Sequence, residues 1–128
     1  MLRSRTLSES EEENSKRFDL EERTFQFARR TRAFIKTLAR TIGNVEDARQ
    51  VVRSSGSVGA NYIEANDALS KKDFVLHIKI CRKEAKESRY WLRLIEAPDP
   101  GVDGERESLV QEAQELMNIF GSIVRKSE

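Results

Sequence analysis

A chain of 128 residues, 38% hydrophobic and 35% charged, is large enough for one core and too small for two ordinary ones. Its formal net charge of +1 argues against a bulk polyelectrolyte binder, and a single cysteine, Cys81, excludes an internal disulfide framework. No apolar run reaches the roughly 18 residues that span a bilayer, and the N-terminus has no apolar h-region, so a cytoplasmic protein without membrane contact is expected.

Residues 1–18, "MLRSRTLSESEEENSKRF", mix Ser, Glu and Arg without apolar periodicity and read as a disordered or frayed arm ahead of one domain, 19–128. The first helix is expected from Asp19, with Glu22 answering at N3. Its inward stripe is Leu20, Phe27, Thr31, Phe34, Ile35, Leu38 and Ile42, and Gly43 is suited to a left-handed cap. Asn44 is expected to cap the second helix, whose inward row is Ala48, Val51, Ser55, Gly59, Tyr62, Asn66 and Leu69. Ser70 and Asp73 resemble a further capping box. The third helix then runs to about Ala97 with Phe74, His77, Ile78, Cys81, Ala85, Ser88, Leu92 and Ile95 inward. "PDPGVDG", Pro98 to Gly104, reads as a break, and the fourth helix carries Leu109, Val110, Ala113, Leu116, Met117, Phe120, Ile123 and Val124. Short connections make successive helices antiparallel, so the pattern predicts an all-α, up-down four-helix bundle.

The window "RSSGSVGANYIEA", Arg53 to Ala65, is unusual for a helix, because each glycine costs about 1 kcal/mol relative to alanine. It is not a Walker phosphate loop, for the terminal Lys-Ser/Thr is absent and no strand precedes it. Gly56 to Gly59 matches the G-x-x-G clamp of KH domains, but that clamp belongs to a mixed α/β fold. The remaining reading keeps the window helical. Ser55 with Gly59, and Gly56 with Ala60, are then spaced to let a neighbouring helix approach closely.

Gln50 to Ile95 resembles the bacterial four-helix bundle proteins encoded in intervening sequences of large-subunit ribosomal RNA genes. The resemblance rests on R-S-S-x-S-V-G-A-N-Y-x-E-A (Arg53 to Ala65), S-K-x-[DE]-F (Ser70 to Phe74) and E-A-x-E-S-x-Y-W-L (Glu84 to Leu92). It implies assembly as a ring-like homopentamer. The same stretch is similar to the accessory subunit of diversity-generating retroelements, which engages reverse transcriptase and nucleic acid. The resemblance carries no catalytic residues.

Charge is sorted by segment: neutral over 1–18, +3 over 19–44, −2 over 45–69, +4 over 70–97 and −4 over 98–128. Arg29, Arg32, Lys36 and Arg40 share one face of the first helix, and Lys72, Lys79, Arg82, Lys83, Lys86 and Arg93, with Tyr90 among them, share one face of the third. Such rows meet phosphate backbones, and an exposed aromatic stacks an unpaired base; equally, cations opposite a core form an ordinary solvated face. Leu76, Ile80, Trp91 and Leu94 give the third helix a second apolar flank, expected to bury itself against sister copies.

Enzyme chemistries find little support. Asp73, His77 and Cys81 are spaced along one face as metal ligands could be, but no fourth partner is evident, so neither metal nor cofactor is expected. Cys81 lies on the inward row, where a thiol is inert. Glu64 lies near Arg53 and Ser57 on the outside of its helix and reads as an ion-pair partner. The expected function is therefore that of a non-enzymatic, oligomeric accessory or scaffold protein bound to RNA through the two basic rows. The alternative is a protein-interaction scaffold that does not bind nucleic acid.

Overall fold

The computed structural model describes residues 8–128, apart from the side chains of residues 13, 14 and 16–18. Among these residues the regular structure is entirely helical: α1 (Glu9–Ile35), α2 (Ile42–Asn66), α3 (Lys71–Leu94) and α4 (Pro100–Ser127). Successive helices pack side by side, and α4 returns against α1, so α1 and α3 lie across the core from one another. Cross-links such as Arg23–Glu112 with Arg30–Glu105, and Asn44–Glu96 with Cys81–Val58, show that neighbours run antiparallel. The core is sealed by Phe27, Val51, Val58, Ile78, Leu92, Leu109, Leu116 and Phe120.

The first helix starts earlier than its apolar stripe suggests. Ser8 caps it by accepting from the Glu11 N–H at 3.1 Å, while the Glu11 carboxylate accepts from the Ser8 N–H at 3.3 Å. This reciprocal box moves the start from Asp19 to Glu9; the rest of the expected arm, residues 1–7, lies outside the described residues. The same helix also stops early. The N–H groups of Thr37 and Leu38 turn to the carbonyls of Phe34 and Ile35 at 2.9 and 3.2 Å, and the Thr37 hydroxyl donates to Phe34 at 2.6 Å. Ile42 therefore leaves the inward stripe and stands 88% exposed.

Thr41, not Asn44, caps α2, and no glycine adopts a positive φ, so Gly43 is a first-turn residue and not a left-handed cap. Asn44 is freed for a different task. Its buried amide donates to the carbonyls of Ala39 and Glu96 at 3.1 and 3.0 Å and accepts from the Glu96 N–H at 2.9 Å, tying two connections together. Leu69, expected inward, is fully exposed because α2 ends at Asn66. Ser70 does cap α3. Asp99 caps α4 through the N–H groups of Gly101 and Val102, with Pro100 at the first helical position, where its missing donor costs nothing. Pro100–Gly104 is thus helix, and the break shrinks to the residues before Pro100.

The expected four-helix bundle closing as a homopentameric ring needs correction. Four is the number of helices among the described residues alone, and no contact in the structure supports a ring. Part of the apolar surface that argued for sister copies is used internally. Ile80 and Trp91 are half-buried, and Trp91 packs against the core of its own chain.

Candidate nucleic-acid interface

The Arg53–Ala65 window is helical throughout, as part of α2. A Cβ built on Gly59 would lie 3.0 Å from Thr24 Oγ1 and 3.3 Å from Thr24 Cβ, so a side chain here would crowd α1 and require Thr24 to give way. Thr24 is held in place by donating to the carbonyls of Leu20 and Glu21 at 2.8 and 3.0 Å. A Cβ built on Gly56 would lie 3.5 Å from the Arg32 guanidinium and Ser55 is buried, whereas Ala60 is exposed and takes no part in the close approach. On the opposite flank, Ser54 and Ser88 share a buried hydrogen bond of 2.8 Å between α2 and α3.

Arg29, Arg32, Lys36, Arg40, Lys72, Lys79, Arg82, Lys83, Lys86, Tyr90 and Arg93 are all exposed. The structure does not bring them to one surface. The α1 row and the α3 row stand on opposite sides of the helical array, because α1 and α3 lie diagonally across the core and not side by side. Within the α1 row, Arg29 lies over the Phe25 ring at 5.7 Å. Lys36 and Arg40, joined by Arg49, rim a groove of about 710 Å³ floored by Ile35, Leu38, Val45, Ala48 and Val52.

The α3 face divides lengthwise. Its α2 side is marked by Arg53, which donates to Glu84 at 3.3 Å and to Glu87 at 2.8 Å. Ile80 and Trp91 continue that side one turn before Glu84 and one turn after Glu87. Leu76 and Leu94 are 54% and 47% exposed at its outer margin. The α4 side is marked by Arg82, whose side chain reaches Gly121 of α4, and Lys86, Arg89 and Arg93 extend it. Tyr90 is 55% exposed and meets Trp91 edge-on at 5.0 Å.

Ion pairing separates the cations further. Arg23 forks onto Glu112 at 2.7 and 2.8 Å and reaches Glu115 at 3.2 Å, and Arg30 meets Glu105 at 3.0 Å, all between α1 and α4. The hydrogen bond to Glu112 holds the Arg23 guanidinium above its usual range. Arg106 is answered by Asp103 and Glu107. Among the described residues, no cation of the α1 or α3 row has an ion-pair partner.

The chemical candidates are occupied elsewhere. Cys81 is fully buried, donates to the Val58 carbonyl at 3.4 Å and has its thiol pushed up to about 12 by burial, so it is no thiolate nucleophile at neutral pH. The His77 Nδ1 lies 3.0 Å from the Asp73 carbonyl, and no three metal-ligating side chains converge among the described residues. Glu64 is exposed, and Arg53 answers Glu84 and Glu87 in its place. Three features escaped the sequence: buried Glu84, half-buried Arg89, and Gly121 with Arg125. A glycine interrupting the apolar stripe of α4, with an arginine one turn on, was the available signal for the last pair.

The model of the family described as 23S rRNA-intervening sequence protein matches residues 16–122, most of the chain and all of this face except Arg125. The chain belongs to this family. A family protein of unknown function from Bacteroides thetaiotaomicron, described as of the S23 ribosomal protein family, has a similar crystal structure. It is 31% identical over 81% of this chain and 96% of its own, with a TM-score of 0.70. No curated protein matches the chain. As a family member it shares the helical fold, and no helix among its described residues is long and apolar enough to cross a membrane.

Proposed function

We propose that this protein is a non-enzymatic, RNA-associated accessory protein of the cytoplasm that meets RNA on the α3–α4 face. The observation that carries this reading is the unpaired basic row. Lys72, Lys79, Arg82, Lys83, Lys86 and Arg93 line one side of α3 in a nearly neutral chain, and none of them meets a carboxylate among the described residues, whereas Arg23, Arg30, Arg53 and Arg106 do. Unpaired cations along one face keep their full charge for phosphates, and an aromatic set among them offers a stacking surface for a base. Tyr90 fits that role because Trp91 braces its ring while more than half of it stays in solvent. The α1 row lies across the core and cannot touch the same stretch of strand, so the second row is left out of the proposed contact.

Fluorescence anisotropy with a labelled single-stranded RNA, titrated at increasing salt, tests the reading. Affinity is expected to fall linearly on a log–log plot, with a slope of about 0.7 for each phosphate neutralised. Absence of RNA binding at about 50 mM salt, where such contacts are strongest, overturns it and leaves a scaffold whose basic row docks an acidic protein.

A further inference from the structure

We infer that Arg82 and Arg125 form a notch over Gly121 that grips a single phosphate group. The inference rests on the proposed RNA reading for the source of that phosphate, an internal phosphate of the strand. Its geometry stands independently. A Cβ placed on Gly121 would lie 3.4 Å from Arg125 Nη1 and 3.8 Å from Arg82 Nε, so two guanidinium groups from different helices converge on one point. Gly121 is itself buried, beneath the two side chains.

Neither guanidinium has an ion pair or a side-chain hydrogen bond among the described residues, although Arg23, Arg30, Arg53 and Arg106 all do. Two like charges converging without a carboxylate between them repel, and an anion seated between them converts that repulsion into attraction. Both arginines are exposed, so an anion can reach them from solvent, and guanidinium forks match the oxygens of a phosphate in paired hydrogen bonds. A cation in the last turn of α4 suits the negative end of the helix, which accounts for an arginine at that position. Its reach back over Gly121, four residues earlier, is the ordinary lean of a helical side chain, and Arg82 of α3 lies over the same point.

Three substitutions separate a built notch from diffuse charge. Arg82→Lys and Arg125→Lys keep the charge and remove the fork, and Gly121→Leu keeps both arginines while occupying the space between them. The glycine change raises helix propensity, so a circular-dichroism melt should show no loss of folding. Each variant is expected to bind the single-stranded RNA roughly tenfold more weakly at an unchanged salt slope, the scale of losing a charge-assisted hydrogen bond. Parent-like affinity in all three overturns the notch and leaves RNA binding intact. If the parent binds no RNA, a pyrophosphate titration followed by the arginine Nε–H resonances decides the matter. Shifts confined to Arg82 and Arg125 and lost in Gly121→Leu sustain the notch for a free phosphate and refute only the RNA source. Unmoved resonances overturn both.

Discussion

The two flanks of α4 carry opposite solutions to the same problem. Toward α1, carboxylates of Glu105, Glu112 and Glu115 absorb Arg30 and Arg23, so this seam is neutralised within the chain. Toward α3, Arg125 and Arg82 lie over the same glycine, and neither is paired with a carboxylate among the described residues. A fold needing only solubility gains from mixed, interspersed signs, whereas a concentrated unpaired patch stores potential for an external anion. One seam is a structural fastening, and the other leaves its cations open to solvent.

The largest effect should come from reversing the open seam. Lys79→Glu, Lys83→Glu and Lys86→Glu together are expected to lower RNA affinity by at least about 100-fold and to reduce the salt slope by about 2, as three phosphate contacts are lost. The melting temperature should stay within a few degrees, because these side chains are exposed and unpaired. Arg29→Glu with Arg32→Glu, on the far side of the core, should leave affinity within about threefold, since screening isolates distant charges. Equal losses from both sets would break the distinction between the faces.

The core was readable because its apolar residues recur with helical spacing: Phe27, Thr31 and Phe34 on α1, and Leu109, Ala113, Leu116 and Phe120 on α4, are all buried where the period puts them. Helix ends were less readable, because polar caps compete. Thr41 and Asn44 both suit a cap, and only Glu96, 52 residues beyond Asn44 in the chain, decides that Asn44 binds the distant connection. The α1 start at Ser8 depends on a wholly polar box, which an apolar pattern does not register. The site was half legible. A helical wheel finds which cations share a face, but not which neighbouring helix brings carboxylates to them. Arg30 and Arg82 look alike in sequence; Glu105 answers one, and Arg125 leans toward the other.

The closed seam gives the smaller and more graded predictions. Glu112→Gln removes the charge from a forked, partly buried pair and is expected to cost about 1–2 kcal/mol in a denaturant titration. Glu115→Gln should cost only about 0.2–0.5 kcal/mol, because this carboxylate is half exposed and gives Arg23 a single longer contact of 3.2 Å. Neither change touches the α3 row, so RNA affinity should stay close to that of the parent. The double variant then tests whether Arg23 works as one fastening. With Glu112 uncharged, Arg23 can shift wholly to Glu115, so the second substitution should cost more there than alone, and a double-mutant cycle would show the excess. Strict additivity would mean that Arg23 does not redistribute between its partners and that the seam is two independent contacts.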